Sequence, residues 1–203
     1  MKQIVQFIED NNISEEEVAK AVHMSLRNFR RQIHSEDRTQ TRIVLILADY
    51  NHQSIDSIFF DQMYNQPINL EGLTWNQVQD IMKLIHPELF TDIKRSSKFK
   101  NFEYNLKNDM GDRMRFIREV VFSLSQTQFG KYMEVTRNTA KYWDEGQINV
   151  DKILKISQRT NISMDFMIRD NYPLTLQTQD MSEALYLAVM TNCVLYRLRN
   201  MKQ

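Results

Sequence analysis

One plan is written twice in this chain, and that repetition limits the fold more than any other feature. Residues 13–33, ISEEEVAKAVHMSLRNFRRQI, align with LSQTQFGKYMEVTRNTAKYWDEG at 124–146 when Ser14 is placed on Ser125, an offset of 111. Val18 then falls on Phe129, Ala19 on Gly130, Met24 on Val135, Ser25 on Thr136 and Phe29 on Ala140. A second match, Ser54-Ile55-Asp56 on Ser163-Met164-Asp165, runs at an offset of 109, so the loop before the fourth helix is two residues longer in the first copy. Self-similarity over such a length marks two copies of one structural unit.

Within each copy the residues predict two short helices joined by a tight turn. Ser125 suits an N-cap, because its hydroxyl accepts a first-turn backbone N–H that has no partner inside the helix. Phe129 and Met133 are four apart and share one inward face. Gly130 is small enough for a second helix to cross closely. Thr136 caps that second helix, with Ala140 and Trp143 inward and Arg137, Asn138, Lys141 and Tyr142 outward. The first copy repeats this with Phe29 and Ile33 inward, and Arg27, Arg30 and Arg31 on the outer side. Non-glycine residues, His23 and Glu134, occupy the equivalent turn positions, where a positive φ is easier for His than for Glu.

The remaining helices of the two copies are those implied by the repeat and by the family resemblance given below, and those of the spacer follow from periodicity and stop signals. In the first copy we expect helices at Lys2 to Asp10, Arg42 to Asn51 and Ile55 to Met63. In the second they are Met110 to Glu119 and two more within Asn149 to Ile168, with Leu154, Ile156, Ile162 and Met164 as core. Between the copies, Thr74 caps a helix carrying a stripe of Trp75, Val78, Met82 and Ile85 that Pro87 ends. A short helix over Glu88 to Ile93 and a basic, aromatic run, KRSSKFKNFEY at 94–104, complete the spacer, and the run reads first as a solvated surface. Met181 to Arg199 is apolar nearly all round, too short and too polar for a membrane span, so burial is expected. It either packs between the spacer and a domain or forms a homodimer seam, and Cys193 within it reads as a small core residue. The fold class is thus all-α: two tandem five-helix domains at 1–66 and 109–172, a helical spacer at 67–108, and a C-terminal helix at 173–203.

The second copy resembles the lambda-repressor-like (Cro-type, XRE) helix-turn-helix family, whose pattern is roughly L-S-Q-x-x-L-A-x-x-x-G-V-S-x-x-T-I-x-x-W-E-x-G. Leu124, Ser125, Gln126, Val135, Trp143 and Gly146 match outright; Phe129, Gly130, Thr136 and Asp144 are close substitutes. The resemblance spans about 60 consecutive residues without a gap. It implies a sequence-specific regulator of transcription that binds double-stranded DNA, a repressor in a bacterial, phage or mobile-element setting. Carried over position by position, it assigns the major groove to Leu26, Arg27 and Arg31 in the first copy and to Arg137, Asn138 and Tyr142 in the second. Arginine can grip guanine O6 and N7, and asparagine adenine N6 and N7. Asn28, Arg30, Gln126, Thr139 and Lys141 are assigned to phosphates, which orient a protein without reading sequence.

The first copy departs from the pattern. Glu15 replaces the usual phosphate-touching Gln, Glu16 and Glu17 follow it, and Gln32 to Ser35 stand where W-E-x-G is expected. Residues 1–66 hold seven basic against ten acidic side chains, so positive charge is concentrated on one helix.

Composition bounds the rest. Four Gly and three Pro among 203 residues leave little but helices and short turns. Lys plus Arg and Asp plus Glu are 26 each, so any nucleic-acid reader must gather its charge locally. One cysteine forms no internal disulfide and suits a reducing cytoplasm, and MKQIVQFIED lacks the apolar core of a signal peptide. His23, His34, His52 and His86 lack companions at ligand spacing, and no phosphate loop or nucleophile elbow occurs. We therefore expect no enzyme, no metal, no cofactor and no membrane. The alternative is a protein-interaction module, an antirepressor or nuclease inhibitor on the same scaffold, motivated by the acidic first copy and the neutral total charge.

Overall fold

In the computed structural model, residues 2–35, 39–60, 67–90 and 104–202 are described. The chain is mostly helical. Helices α1 (Lys2–Asp10), α2 (Glu15–Ala21), α3 (Leu26–Ile33), α4 (Thr41–Tyr50) and α5 (Asp56–Phe59) are followed by the two-residue strand β1 (Ile68–Asn69). Then come α6 (Trp75–Ile85) and a 3-10 turn at Pro87–Leu89. Helix α7 (Met110–Phe116) continues as a π-helical turn, Ile117–Val121, before α8 (Gln126–Met133) and α9 (Arg137–Asp144). Helices α10 (Val150–Thr160) and α11 (Met164–Ile168), strand β2 (Thr175–Leu176) and α12 (Glu183–Asn200) complete the order. This agrees with the all-α expectation, to which the two-residue strand pair is a small addition. Ile68 pairs with Leu176 and Asn69 with Thr175, antiparallel, so the spacer is stitched to the segment that follows α11.

Backbone geometry repeats where the sequence does. Left-handed residues recur in register: Asn12 and Ser123 (φ 50° and 54°), His23 and Glu134 (55° and 58°), His52 and Asn161 (52° and 55°). Both turns therefore keep the conformation that glycine would favour. At Glu134 the exposed carboxylate meets Arg159 at 2.8 Å and Lys155 at 3.5 Å, and those hydrogen bonds and charges hold its pKa below the usual range. Ser14, Ser25, Ser125 and Thr136 all cap as expected, each accepting the N–H of the residue three positions on. Ser125 and Gln128 form a full capping box.

One core runs through the described residues, from Ile4 and Phe29 to Met133, Ile156 and Val189. Among the expected core positions Leu154 is only half-buried, while Ile156, Ile162 and Met164 are fully enclosed. In α6, Val78, Ile81 and Met82 face inward, but Trp75 is 52% exposed and lies edge-on to Phe116. Arg113, 1% exposed, ties α7 to the end of α11 by donating to the carbonyls of Met167 and Ile168 at 3.2 and 3.3 Å. The end of the expected fifth helix and the basic run lie outside the described residues, apart from Tyr104.

The two repeats meet through their fifth helices, and the contact is reciprocal. Asp165 accepts the backbone N–H groups of Ile55 and Asp56 at 3.0 and 3.2 Å, while Asp56 accepts that of Met164 at 2.7 Å. Each carboxylate thus satisfies the start of the opposite helix, where N–H groups have no internal partner. Equivalent residues touch equivalent residues, as in the isologous interface of a symmetric dimer, but within one chain.

Symmetry fails one turn later. Asp165 has Arg169 at i+4, 2.7 Å away, and Arg169 also bridges to Asp49 and to the Gln53 carbonyl. The corresponding residue beside Asp56 is Phe60. Burial, and then the facing Asp165 charge, push the Asp56 carboxyl up to about 7, against the pull of its bonds from Ser163 and Met164. A raised carboxyl pKa favours folding fully below the unfolded value near 3.8, and that contribution is lost as pH rises towards 7. Urea unfolding of the native chain is expected to weaken by about 2–3 kcal/mol from pH 5 to 8 relative to Asp56→Asn. Asn keeps the acceptor for Met164 and does not ionise. Other titrating groups, His86 included, are common to both proteins, so equal slopes in the two would discard this assignment.

Candidate nucleic-acid interface

Helices α7, α8 and α9 are held at close range by small residues and a buried ion pair. A β-carbon on Gly130 would stand 2.9 Å from the Val135 carbonyl oxygen, so this position is close-packed against the turn. Gly111 of α7 meets the end of α9 in the same way, its absent β-carbon 2.7 Å from the Asp144 carbonyl oxygen. Trp143, 3% exposed, packs edge-to-face on Phe129 at 6.3 Å and 84°. Beside it Arg118 and Asp144 pair at 2.7 Å, both nearly enclosed. Arg118 also reaches the Leu124 carbonyl at 2.9 Å and Glu119 at 2.8 Å. Burial works against its charge, but the hydrogen bond and charge of Asp144 outweigh it, so the pKa of Arg118 is raised.

This frame leaves one polar face of α9 outward. Arg137, Asn138, Lys141 and Tyr142 are exposed, Tyr142 by 51%. Arg137 and Asn138 form no side-chain hydrogen bond or ion pair among the described residues, and Lys141 lies a loose 3.6 Å from Glu145. Thr139 is half-buried and its hydroxyl sits 2.9 Å from that of Thr136, so it serves the cap as much as the surface. Gln126 is drawn inward: its amide donates to Asp144 at 2.9 Å, joining the Arg118 network. Five of the expected positions in this copy thus divide into an open face of four and a half-covered Thr139, with Gln126 turned away.

The equivalent surface on α3 is more self-occupied. Arg27, Arg30 and Arg31 are exposed, as their spacing predicts. Arg30 donates to Glu15 at 2.6 Å, and Arg31 to the Asn28 side-chain oxygen at 2.8 Å. Leu26 is half-buried against the core. Among the described residues Arg27 forms no side-chain hydrogen bond or ion pair. The carboxylates at the start of α2, whose charge opposes a polyanion, are partly spoken for, Glu15 by Arg30 and Glu17 by the Tyr50 hydroxyl at 2.6 Å. Where the second copy has Trp143, the first buries Gln32, whose carbonyl accepts from the Thr39 hydroxyl at 3.0 Å.

Sequence reasoning missed the residues that set the two outward faces relative to each other: Asp56, Asp165, Arg169 and Asp49. The mirrored Ser-x-Asp at an offset of 109 was the available signal. Among the described residues no cluster of His, Cys, Asp or Glu could hold a metal ion, and no helix is long and apolar enough to cross a membrane. Compared with family models, curated proteins and solved structures, the chain matches none.

Proposed function

We propose that this chain is a sequence-specific double-stranded-DNA-binding regulator of transcription, a repressor, built from two helix-turn-helix units at 1–66 and 109–172. The observation that carries this reading is the outer face of α9. A cation, an amide, a second cation and an aromatic ring stand exposed on two turns of a helix whose inner face is locked. A major groove admits such a helix and rewards such groups.

The reciprocal Asp56 and Asp165 bonds support a further feature of the reading. They hold the two units in one orientation, so a single chain presents both helices together. Because α3 and α9 carry different outward residues, the two half-sites differ in sequence. The second unit reads bases through Arg137, Asn138 and Tyr142, with Lys141 on phosphate. The first contributes chiefly through Arg27 and Arg31, since Glu15 engages Arg30.

Selection of the native chain against a random duplex pool tests this directly. Two dissimilar blocks at fixed spacing are expected. In Arg137→Ala/Asn138→Ala one block should lose its base preference, since each bidentate contact is worth about 1–3 kcal/mol of discrimination. The other block and the salt dependence from phosphate contacts should survive. An unchanged preference in the double variant removes the assigned roles. No enrichment with the native chain would transfer the argument to a protein-interaction module, which the acidic first unit would then suit.

A further inference from the structure

Helix α12 is not enclosed as its composition predicts. Only Val189 and Cys193 are buried, on the side that packs against α6. Arg197 and Asn200 fasten that side to the carbonyls of Asn69 and Gly72 at 2.5 and 2.9 Å. The opposite side is open. There Ala184, Thr191 and Leu198 recur every seven residues, and so do Leu187, Val194 and Met201. Leu187, Val194, Leu198 and Met201 are 55%, 49%, 51% and 80% exposed. A seven-residue repeat of this kind is the seam of two paired helices.

We infer that this face pairs with the same face of a second copy, the two α12 helices running antiparallel about a two-fold axis. Two gradients along the helix argue for that occupant. Size is the first: among the exposed seam residues the N-terminal half holds Ala184, Ala188 and Thr191 with one large residue, Leu187, and the C-terminal part holds Val194, Leu195, Leu198 and Met201. Antiparallel pairing sets Ala184 against Met201, Thr191 against Val194 and Leu187 against Leu198, with Ala188 half a turn from the level of Leu195. Charge is the second: Asp180 and Glu183 stand near the N-terminal end, Arg199 and Lys202 at the other. Antiparallel pairing brings acid to base at both ends, whereas parallel pairing sets alanine on alanine and like charge on like. A stripe that complements itself only when reversed fits the isologous contact of a symmetric dimer. This goes beyond the proposed DNA reading and does not depend on it.

The test uses the full chain without DNA. Sedimentation equilibrium across micromolar concentrations should move the mass from one 24.3 kDa chain towards twice that value. Leu198→Glu, at an exposed position, should remain a single chain throughout with an unchanged thermal melt. Mixing Ala184→Cys with Met201→Cys under mild oxidation should give a covalent heterodimer, while each alone stays uncrosslinked. Cys193 is 1% exposed and silent in this assay. A native chain that stays single at every concentration overturns the seam. A dimer that survives Leu198→Glu, whether of another face or bridged otherwise, overturns the assignment to α12. Ala184→Cys chains that crosslink to one another overturn the antiparallel direction.

Discussion

Asp144→Ala is expected to destabilise the chain by about 3–5 kcal/mol, because it strands the Arg118 guanidinium in the interior. Arg118 is 3% exposed and donates two bonds to the Asp144 carboxylate, at 3.2 and 2.7 Å. Its remaining partners, Glu119 and the Leu124 carbonyl, do not fill that side. Gln126 loses its acceptor as well. The repeat supplies the control. At the offset of 111, Arg118 and Asp144 correspond to Phe7 and Ile33, both buried. One unit closes this site with ions and the other with hydrocarbon. Exchanging both at once, Arg118→Phe/Asp144→Ile, should therefore cost much less than the single change, since an ion pair replaced whole by apolar groups is often neutral. Urea denaturation of the four proteins in the cycle measures this. A single-variant loss under about 1 kcal/mol would mean that water or Glu119 compensates the charge and the pair is not a lock.

The parts of the structure legible in the sequence are those encoded within a turn or two of helix. Ser14, Ser25, Ser125 and Thr136 cap where they stand because the N–H they satisfy is three residues away. Phe29, Ile33, Phe129 and Met133 point inward because their spacing admits one common face. The outward groups of α9 follow from the same spacing, read in reverse. What escaped depends on distance along the chain or on two faces being apolar at once. Gln126 turns to Asp144, eighteen residues on, which no local pattern announces. Trp75 leaves the stripe it belongs to and Ile81 takes its place, because α6 is packed from two directions, by α12 and by the π-helical turn at Ile117–Val121. In α12 an apolar residue at every angle looks like burial on all sides; the helix instead carries two separate faces, one used and one open. The two-residue strands arise only because residues over a hundred positions apart come together.

Asp165→Ala should be as costly as the loss of Asp144, about 3–5 kcal/mol, and for a different combination of reasons. The Asp165 carboxylate is 1% exposed and accepts from three donors: two backbone amides of the other repeat, at 3.0 and 3.2 Å, and Arg169 at 2.7 Å. Removing it leaves buried N–H groups without acceptors at the start of α5, each a loss of roughly 1–3 kcal/mol. Arg169 is less exposed to the penalty, since Asp49 and the Gln53 carbonyl still hold it. The reverse variant, Asp56→Ala, removes the acceptor of the Met164 amide and of the Ser163 hydroxyl but strands no charged partner, and it relieves a carboxylate that burial already disfavours, so it should cost distinctly less. The pair is therefore symmetric in geometry and unequal in energy, and the inequality comes from Arg169 standing where the other repeat has Phe60. Comparing the two single variants by urea denaturation at pH 7 checks it. Equal losses would place the strength of the contact in packing around α5 and α11 rather than in the reciprocal capping. If Asp165→Ala unfolds one repeat before the other, in two transitions, the bonds are what make the two units a single cooperative body.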